Sequence, residues 1–233
     1  MTKSTRARLT TTVPQVPSTN RRAQFSASTR LALVDVAERL FTEHGYAATS
    51  LDAIVAGADV TKGALYHHYS GKQALFEAVF ERVESAGAQS IQDALTGSQD
   101  PWEKALSGLR AFLEVVRQPS YGRIVIQDGP SVLGYERFRE QEERSTFAYV
   151  LDIVRAVLSS GDWELDDELE HTFARIFFGA LSSSGASVST AEDADAAAGR
   201  VELAIGFILA GLRSLADQGV QMPATPSAGA PTS

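Results

Sequence analysis

Apolar residues recur along most of this chain at intervals of three and four, the spacing of one helical face, and no segment shows the apolar-polar alternation of a strand. Leu33, Val36, Ala37, Leu40 and Phe41 share such a face, and the helix they define ends near His44, where Gly45 is a natural C-terminal cap. In Thr49-Ser50-Leu51-Asp52 a hydroxyl is followed three residues later by a carboxylate, a capping-box pattern that opens a short helix with Leu51, Ile54 and Val55. That helix stops at Gly57-Ala58-Asp59-Val60, and another short one starts at Thr61, so the pair reads as a helix-turn-helix. Ser70-Gly71-Lys72-Gln73 repeats the capping-box pattern before a long helix, with Phe76, Val79, Phe80 and Val83 on one side, running to about Leu95.

Asp100 followed by Pro101 is an N-cap and first-turn proline, starting a helix with Leu106, Leu109, Phe112 and Leu113 on one face. Pro119 and Gly129-Pro130 bracket a short helix around Ile124 to Gln127. One long helix is expected next, carrying the charged run 136–144 on its first half and Phe147, Val150, Leu151, Val154, Val157 and Leu158 on its second. Leu169, Phe173, Ile176, Phe177, Ala180 and Leu181 mark another; Val201, Ala204, Ile205, Ile208, Leu212 and Leu215 mark the last. The expectation is an all-α fold of about nine helices.

Composition changes this picture in two places. With no cysteine, no apolar run near the roughly 20 residues of a membrane span, and no apolar core in the basic N-terminal stretch that could act as a signal, a cytoplasmic protein is expected. The net charge of −8 argues against a polyanionic partner only on average. Residues 1 to 72 hold nine Lys/Arg against five Asp/Glu, a balance of +4, whereas the remainder holds twelve against twenty-four. One end suits nucleic acid and the other does not.

The chemistry concentrates in TKGALYHHYSGKQAL, residues 61–75. His67 and His68 are consecutive and point about 100° apart on a helix, unlike an i, i+4 metal pair, so no metal site is expected. No nucleophile elbow, cysteine or paired acid supports catalysis, no motif calls for a cofactor, and Gly71-Lys72 lacks the rest of a phosphate-cradling loop. One of Tyr66 and Tyr69 is expected in the core. Core packing does not explain why Thr61, Lys62, Gly63, Tyr66 and His67 come together, nor why Lys72 opposes the dipole of the next helix, unless a phosphate lies there. Thr49 and Thr61, at helix starts, offer hydroxyls and amides to the same anion.

The run GYAATSLDAIVAGADVTKGALYHHYSGKQALFEAV, Gly45 to Val79, with Leu40-Phe41 before it, closely resembles the DNA-binding domain of the TetR family of bacterial transcriptional regulators, over about residues 29 to 80. The resemblance makes Thr61 to His67 the recognition helix, places Thr49, Tyr66 and Lys72 at phosphate-holding positions, and turns Lys62, Gly63 and His67 toward the major groove. Asp59 departs from the family, which usually has glycine in the turn, and Val55 stands where it has alanine; Asp tolerates the left-handed backbone such a turn needs.

The implied organisation is a basic arm without fixed structure (1–27, with Arg6, Arg8, Arg21 and Arg22), a helix-turn-helix domain (28–80), a ligand-binding and dimerisation domain (81–220) and a loose tail (221–233). The family's second half varies too much for motifs to transfer, so candidate ligand contacts rest on residue type: Trp102, Phe112, Tyr121, Phe138, Phe147, His171 and Phe177. The expected partners are double-stranded operator DNA, a second copy of the chain joined through the last two helices (Ile205, Ile208, Leu209 and Leu212, with small Ala180, Ser183, Ser184 and Gly211), and a small apolar or cationic effector. A ligand-responsive repressor is the expected function; a helical enzyme or ligand carrier that kept the motif is the alternative.

Overall fold

The computed structural model describes residues 18–97, 99–142, 146–161, 163 and 165–221. They form ten α-helices and no strand: α1 Ser18–Ala48, α2 Leu51–Gly57, α3 Lys62–His68, α4 Lys72–Leu95, α5 Pro101–Arg117, α6 Gly129–Leu133, α7 Tyr135–Glu142, α8 Ala148–Ser159, α9 Asp167–Ser189 and α10 Ala194–Asp217. A π-helical segment, Tyr121–Asp128, leads into α6.

Two sequence expectations need correction. Helix α1 begins at Ser18, so residues 18–27 belong to it and not to an arm; 1–17 and the tail from 222 lie outside the described residues. The helix expected over 136–158 is helical wherever it is described, as α7, almost wholly polar, and the amphipathic α8, with 146–147 π-helical and 143–145 outside the described residues. The capping box at Ser70 does not form: Gly71 precedes α4 and no side chain caps it.

Three aspartates cap helices as side-chain chemistry dictates. Asp100 accepts from the Trp102 amide at 3.1 Å, Asp166 from Leu169 at 2.8 Å and Asp193 from Ala196 at 2.9 Å, each satisfying a first-turn donor that the helix itself cannot. Gly45 interrupts α1 with φ 78°, a left-handed conformation, and a Cβ there would also lie 1.9 Å from the Arg123 guanidinium.

Two layers share one core. Leu33, Ala37 and Phe41 of α1, Ile54 of α2, Leu65 of α3 and Leu75, Phe76 and Val79 of α4 form its N-terminal part. The same cluster continues through Val83 and Ile91 of α4 to Leu109 and Phe112 of α5, Ile124 of the π segment and Val188 of α9. The boundary expected at residue 80 therefore falls inside a packed helix. A smaller core joins Val150, Val154 and Leu158 of α8 to Ala174 of α9 and Trp163, whose indole N–H donates to the Val220 carbonyl at 2.7 Å.

Phe76 is fully buried, with its ring edge-on to Phe41 at 5.3 Å and to Tyr46 at 5.1 Å between centroids. Phe76→Ala is expected to lower unfolding stability by about 3–5 kcal/mol, read by urea denaturation followed by circular dichroism.

Candidate functional site

The turn between α2 and α3 holds the first group of candidate residues. Asp59 has φ 52°, the left-handed conformation expected for it, and the Val60 amide donates back to the Val55 carbonyl at 3.2 Å. Leu65 is buried under α3 and Tyr69, only 6% exposed, accepts a 3.3 Å hydrogen bond from Arg30 on α1. Tyr69 is thus the core tyrosine. With that anchor, α3 turns Thr61, Lys62, Gly63, Tyr66 and His67 to solvent; Tyr66 is 58% exposed.

Thr61 caps α3 by accepting from the Ala64 amide at 3.1 Å. A Cβ at Gly63 would meet nothing closer than the Thr61 hydroxyl at 3.8 Å. Packing within the chain does not require glycine at this second position of α3; an outside body approaching the bare backbone would explain it. Lys62 reaches across the turn to Asp52 of α2 at 2.6 Å, and this hydrogen bond and charge hold its ammonium above the usual lysine range.

Thr49 must be corrected. It is 3% exposed and its hydroxyl donates to the Gly45 and Leu40 carbonyls at 2.8 and 3.1 Å, closing the end of α1, so that hydroxyl is turned inward, away from any phosphate. The residue that caps α2 is Ser50, whose exposed hydroxyl accepts from the Ala53 amide at 3.1 Å. The capping-box pattern obscured it, because Thr49 had a carboxylate three residues on and Ser50 does not.

Lys72, in the first turn of α4, lies 4.3 Å from the centre of the Tyr46 ring and donates to the Ala47 carbonyl at 3.3 Å. Burial pushes its ammonium below the usual value, and the charge of Asp128 partly opposes this. Asp128, at the end of the π segment, accepts from the Tyr46 amide at 2.8 Å and pairs with Arg123 at 3.4 Å. Gln73 donates to the Val132 carbonyl of α6 at 3.1 Å. The start of α4 is thereby joined to the second layer, and no periodicity could have revealed Tyr46, Arg123 or Asp128 as members of this junction.

The second group of candidates divides between two cavities. An apolar cleft open to solvent at its mouth lies among α4, α5, α8, α9 and α10; Phe112 and Phe177 line it. A neighbouring cavity is lined by Phe112, Tyr121 and Phe138, and also by Glu84, which was not expected. Trp102, Phe147 and His171 line neither: Trp102 is buried in α5, Phe147 packs edge-on against Phe178 at 5.6 Å, and the His171 ring bonds the Asp167 carbonyl at 2.7 Å. Of the expected dimer stripe, Ile205, Leu209 and Leu212 line the cleft from α10, whereas Ile208 is exposed, as are Leu203 and Phe207 of α10 and Ile176 of α9. Among the described residues no three acidic, His or Cys side chains converge as a metal would need, and no helix is long and apolar enough to cross a membrane.

A helix-turn-helix with an open polar outer face, mounted on an apolar helical layer that contains cavities, defines a class: DNA-binding regulators with a second, sensory half. Comparison with known proteins gives the family. Residues 33–79 match the profile of bacterial regulatory proteins of the tetR family, and residues 102–212 match a tetracyclin repressor-like C-terminal domain. The Tn10 TetC protein of Escherichia coli is 29% identical over 60% of this chain and 68% of its own length. The probable acrEF/envCD operon repressor of E. coli K12 is 33% identical over 42% of this chain and 46% of its own. A solved TetR-family regulator from Pectobacterium atrosepticum superposes with a TM-score of 0.70 at 29% identity, over 82% of this chain and 96% of that one. The chain belongs to the TetR family of bacterial transcriptional regulators, and it is a DNA-binding regulator.

The turn offers a test independent of function. Asp59→Val places a β-branched residue at φ 52° and is expected to remove about 1–3 kcal/mol of stability, whereas Asp59→Gly should stay within about 1 kcal/mol of the parent in the same thermal or urea melts.

Proposed function

We propose that the protein is a homodimeric repressor whose affinity for operator DNA falls when a small, largely apolar molecule enters the second layer. The observation that carries this reading is the course of α4. It starts with Lys72 at the DNA-facing end, contributes Phe80 and Glu84 to one cavity, and contributes Ile91 to the apolar cleft. An occupant of either cavity touches the helix that holds a phosphate-reaching lysine. The name of the acrEF/envCD relative supports repression as the direction of control.

In this reading the open N-terminus of α4, with Gly71 and Lys72, holds one phosphate, and Ser50, Thr61 and Tyr66 hold neighbouring ones. Lys62, Gly63 and His67 face the base edges. Asp52 holds the Lys62 ammonium to one side and keeps it from binding every phosphate it meets. A ligand lowers operator affinity only if it binds one spacing of the two recognition helices better than the other. Tilting α4 would carry Lys72 out of register, and the Asp128–Tyr46 hydrogen bond would carry the displacement to the end of α1. A coupling of about 3 kcal/mol would weaken operator binding about 150-fold.

The test is anisotropy titration of operator and random DNA at several salt concentrations. Lys72→Ala should weaken binding to both DNAs and lower the log-log salt slope by about 1, whereas Lys62→Ala and His67→Ala should mainly narrow the ratio between the two. Three variants that all bind like the parent would sink the assignment of α3 as the reading helix.

Regulators of this family bind DNA as dimers, because one reading helix spans too few base pairs and two must stand about 34–36 Å apart. The face that fits is the exposed one on α9 and α10, with Ile176, Leu203, Phe207 and Ile208 around small Gly179, Ala180 and Gly211. Phe207, 81% exposed, is its most prominent side chain. Phe207→Glu is expected to leave a folded monomer at micromolar concentration by light scattering, where the parent is a dimer.

A further inference from the structure

Lys62 and Asp52 join α3 to α2 by an ion pair of 2.6 Å in which both side chains stay largely exposed, at 64% and 70%. Folding does not account for this pair. An exposed pair adds little to stability, and an acid in the first turn of α2 suits that helix's dipole without any partner on α3. The two helices are held by other means: Ile54 and Leu65 share the core below them, and the Val60 amide closes the turn. Affinity does not account for Asp52 either, since an acid on the reading face of a DNA-binding domain weakens its hold on a polyanion.

The contrast with Lys72 supplies a reason. Lys72 rests on a ring and a backbone carbonyl, neutral groups that it can leave for a phosphate. Lys62 rests on a full negative charge. Moving its ammonium to a phosphate would release one counterion, but it would strand the Asp52 carboxylate beside the same polyanion. Phosphates line every duplex, so what the pair suppresses is binding without regard to sequence. A base edge makes a different demand. An ammonium has three donors, and Asp52 takes one. The two that are left match the major-groove edge of guanine, where O6 and N7 both accept; adenine and thymine each offer one acceptor there and cytosine offers a donor. The pair can stay closed while these bonds form, and beside it Gly63 has no Cβ to hold the base edge away.

We propose that Asp52 is a specificity-determining residue acting through Lys62: it withholds the ammonium from phosphates and turns its two remaining donors to the O6 and N7 of a guanine. The proposal rests on the reading that α3 faces base edges. It adds the base, and the residue that restricts Lys62 to it.

The experiment uses the full chain with an operator duplex that the parent recovers from a random-sequence pool, and a random duplex of equal length, titrated by anisotropy at several salt concentrations. Asp52→Ala should bind the random duplex roughly tenfold more tightly at about 0.1 M salt, with a log-log slope steeper by about 1 for each reading helix engaged. Its operator affinity should stay within about threefold of the parent's, so the ratio between the two duplexes falls. Asp52→Glu, which can still pair, should keep the parent ratio. In a Lys62→Ala background, removing Asp52 should raise random binding by no more than about twofold, the share left to direct repulsion at this ionic strength. Thermal melts report folding, and if Asp52→Ala does not fold, Asp52→Asn takes its place. Selection from the same pool should show a guanine preferred at one position of each half-site, erased in Lys62→Ala and weakened in Asp52→Ala. An unchanged ratio and slope in Asp52→Ala, an equal rise on both duplexes, a rise of the same size without Lys62, or the loss in Lys62→Ala of a preference for some other base would each overturn the proposal. If Lys62→Ala leaves affinity and base preference untouched, the reading of α3 fails with it; an effect of Lys62 with none of Asp52 counts against the proposal alone.

Discussion

The constraint on which the rest of this structure depends is the burial of α4 along its whole length. Leu75, Phe76, Val79, Phe80, Val83, Gly87 and Ile91 recur at three- and four-residue intervals, and all are buried. The first three pack with α1, α2 and α3; the last ones pack against α5 and the π segment. Gly87 is where the second layer comes nearest, since a Cβ there would lie 2.7 Å from the Tyr121 ring and 2.9 Å from Val115. Twenty-four residues make a rod of about 36 Å. Its stripe is filled at both ends, so it moves as a body or not at all.

Polar contacts restrict where such a body can move. Arg82 of α4 pairs with Asp35 and Glu38 of α1, beside the shared core. At the far end of the first layer, Tyr46 is fixed between the Phe76 ring, the Lys72 ammonium and the Asp128 carboxylate. The π-helical segment that supplies Asp128 also supplies Tyr121 and Val125 to the carboxylate cavity. Cavity, α4 and the end of α1 thus meet within a few side chains, and what fills the cavity and what holds the reading helix share the same supports.

Charge is divided as sharply as packing. The first 72 residues are net cationic and the rest strongly anionic, and the structure uses individual charges against that background. Asp52 stands on the exposed face of the helix-turn-helix as the partner of Lys62, and Glu84 is buried in a cavity walled by aromatic rings. An exposed pair such as Lys62–Asp52 contributes little to stability. Its consequence is positional, because it fixes where a mobile ammonium rests.

The helices, the helix-turn-helix, the left-handed Asp59 and the caps at Thr61 and Asp100 were legible in the sequence, because each depends on residues no more than a turn apart. The family resemblance rested on the same local register, which is why the outward set Thr61, Lys62, Gly63, Tyr66 and His67 could be named. What the sequence did not determine were facts about distant partners. Thr49 and Ser50 both suit an N-cap, and only the packed end of α1, where the Gly45 and Leu40 carbonyls accept its hydroxyl, turned Thr49 inward. Aromatic residues of the second half looked alike as candidates until the crossing of α5 and α9 placed Phe112 and Phe177 in a cavity wall and left His171 on its own helix. Ile205, Ile208, Leu209 and Leu212 formed one apolar set by spacing, and the placement of α10 against α5 and α9 divided them between an interior and an outer face. Periodicity states that a residue is apolar and which helical face it shares; which body that face meets is a property of the assembled tertiary structure.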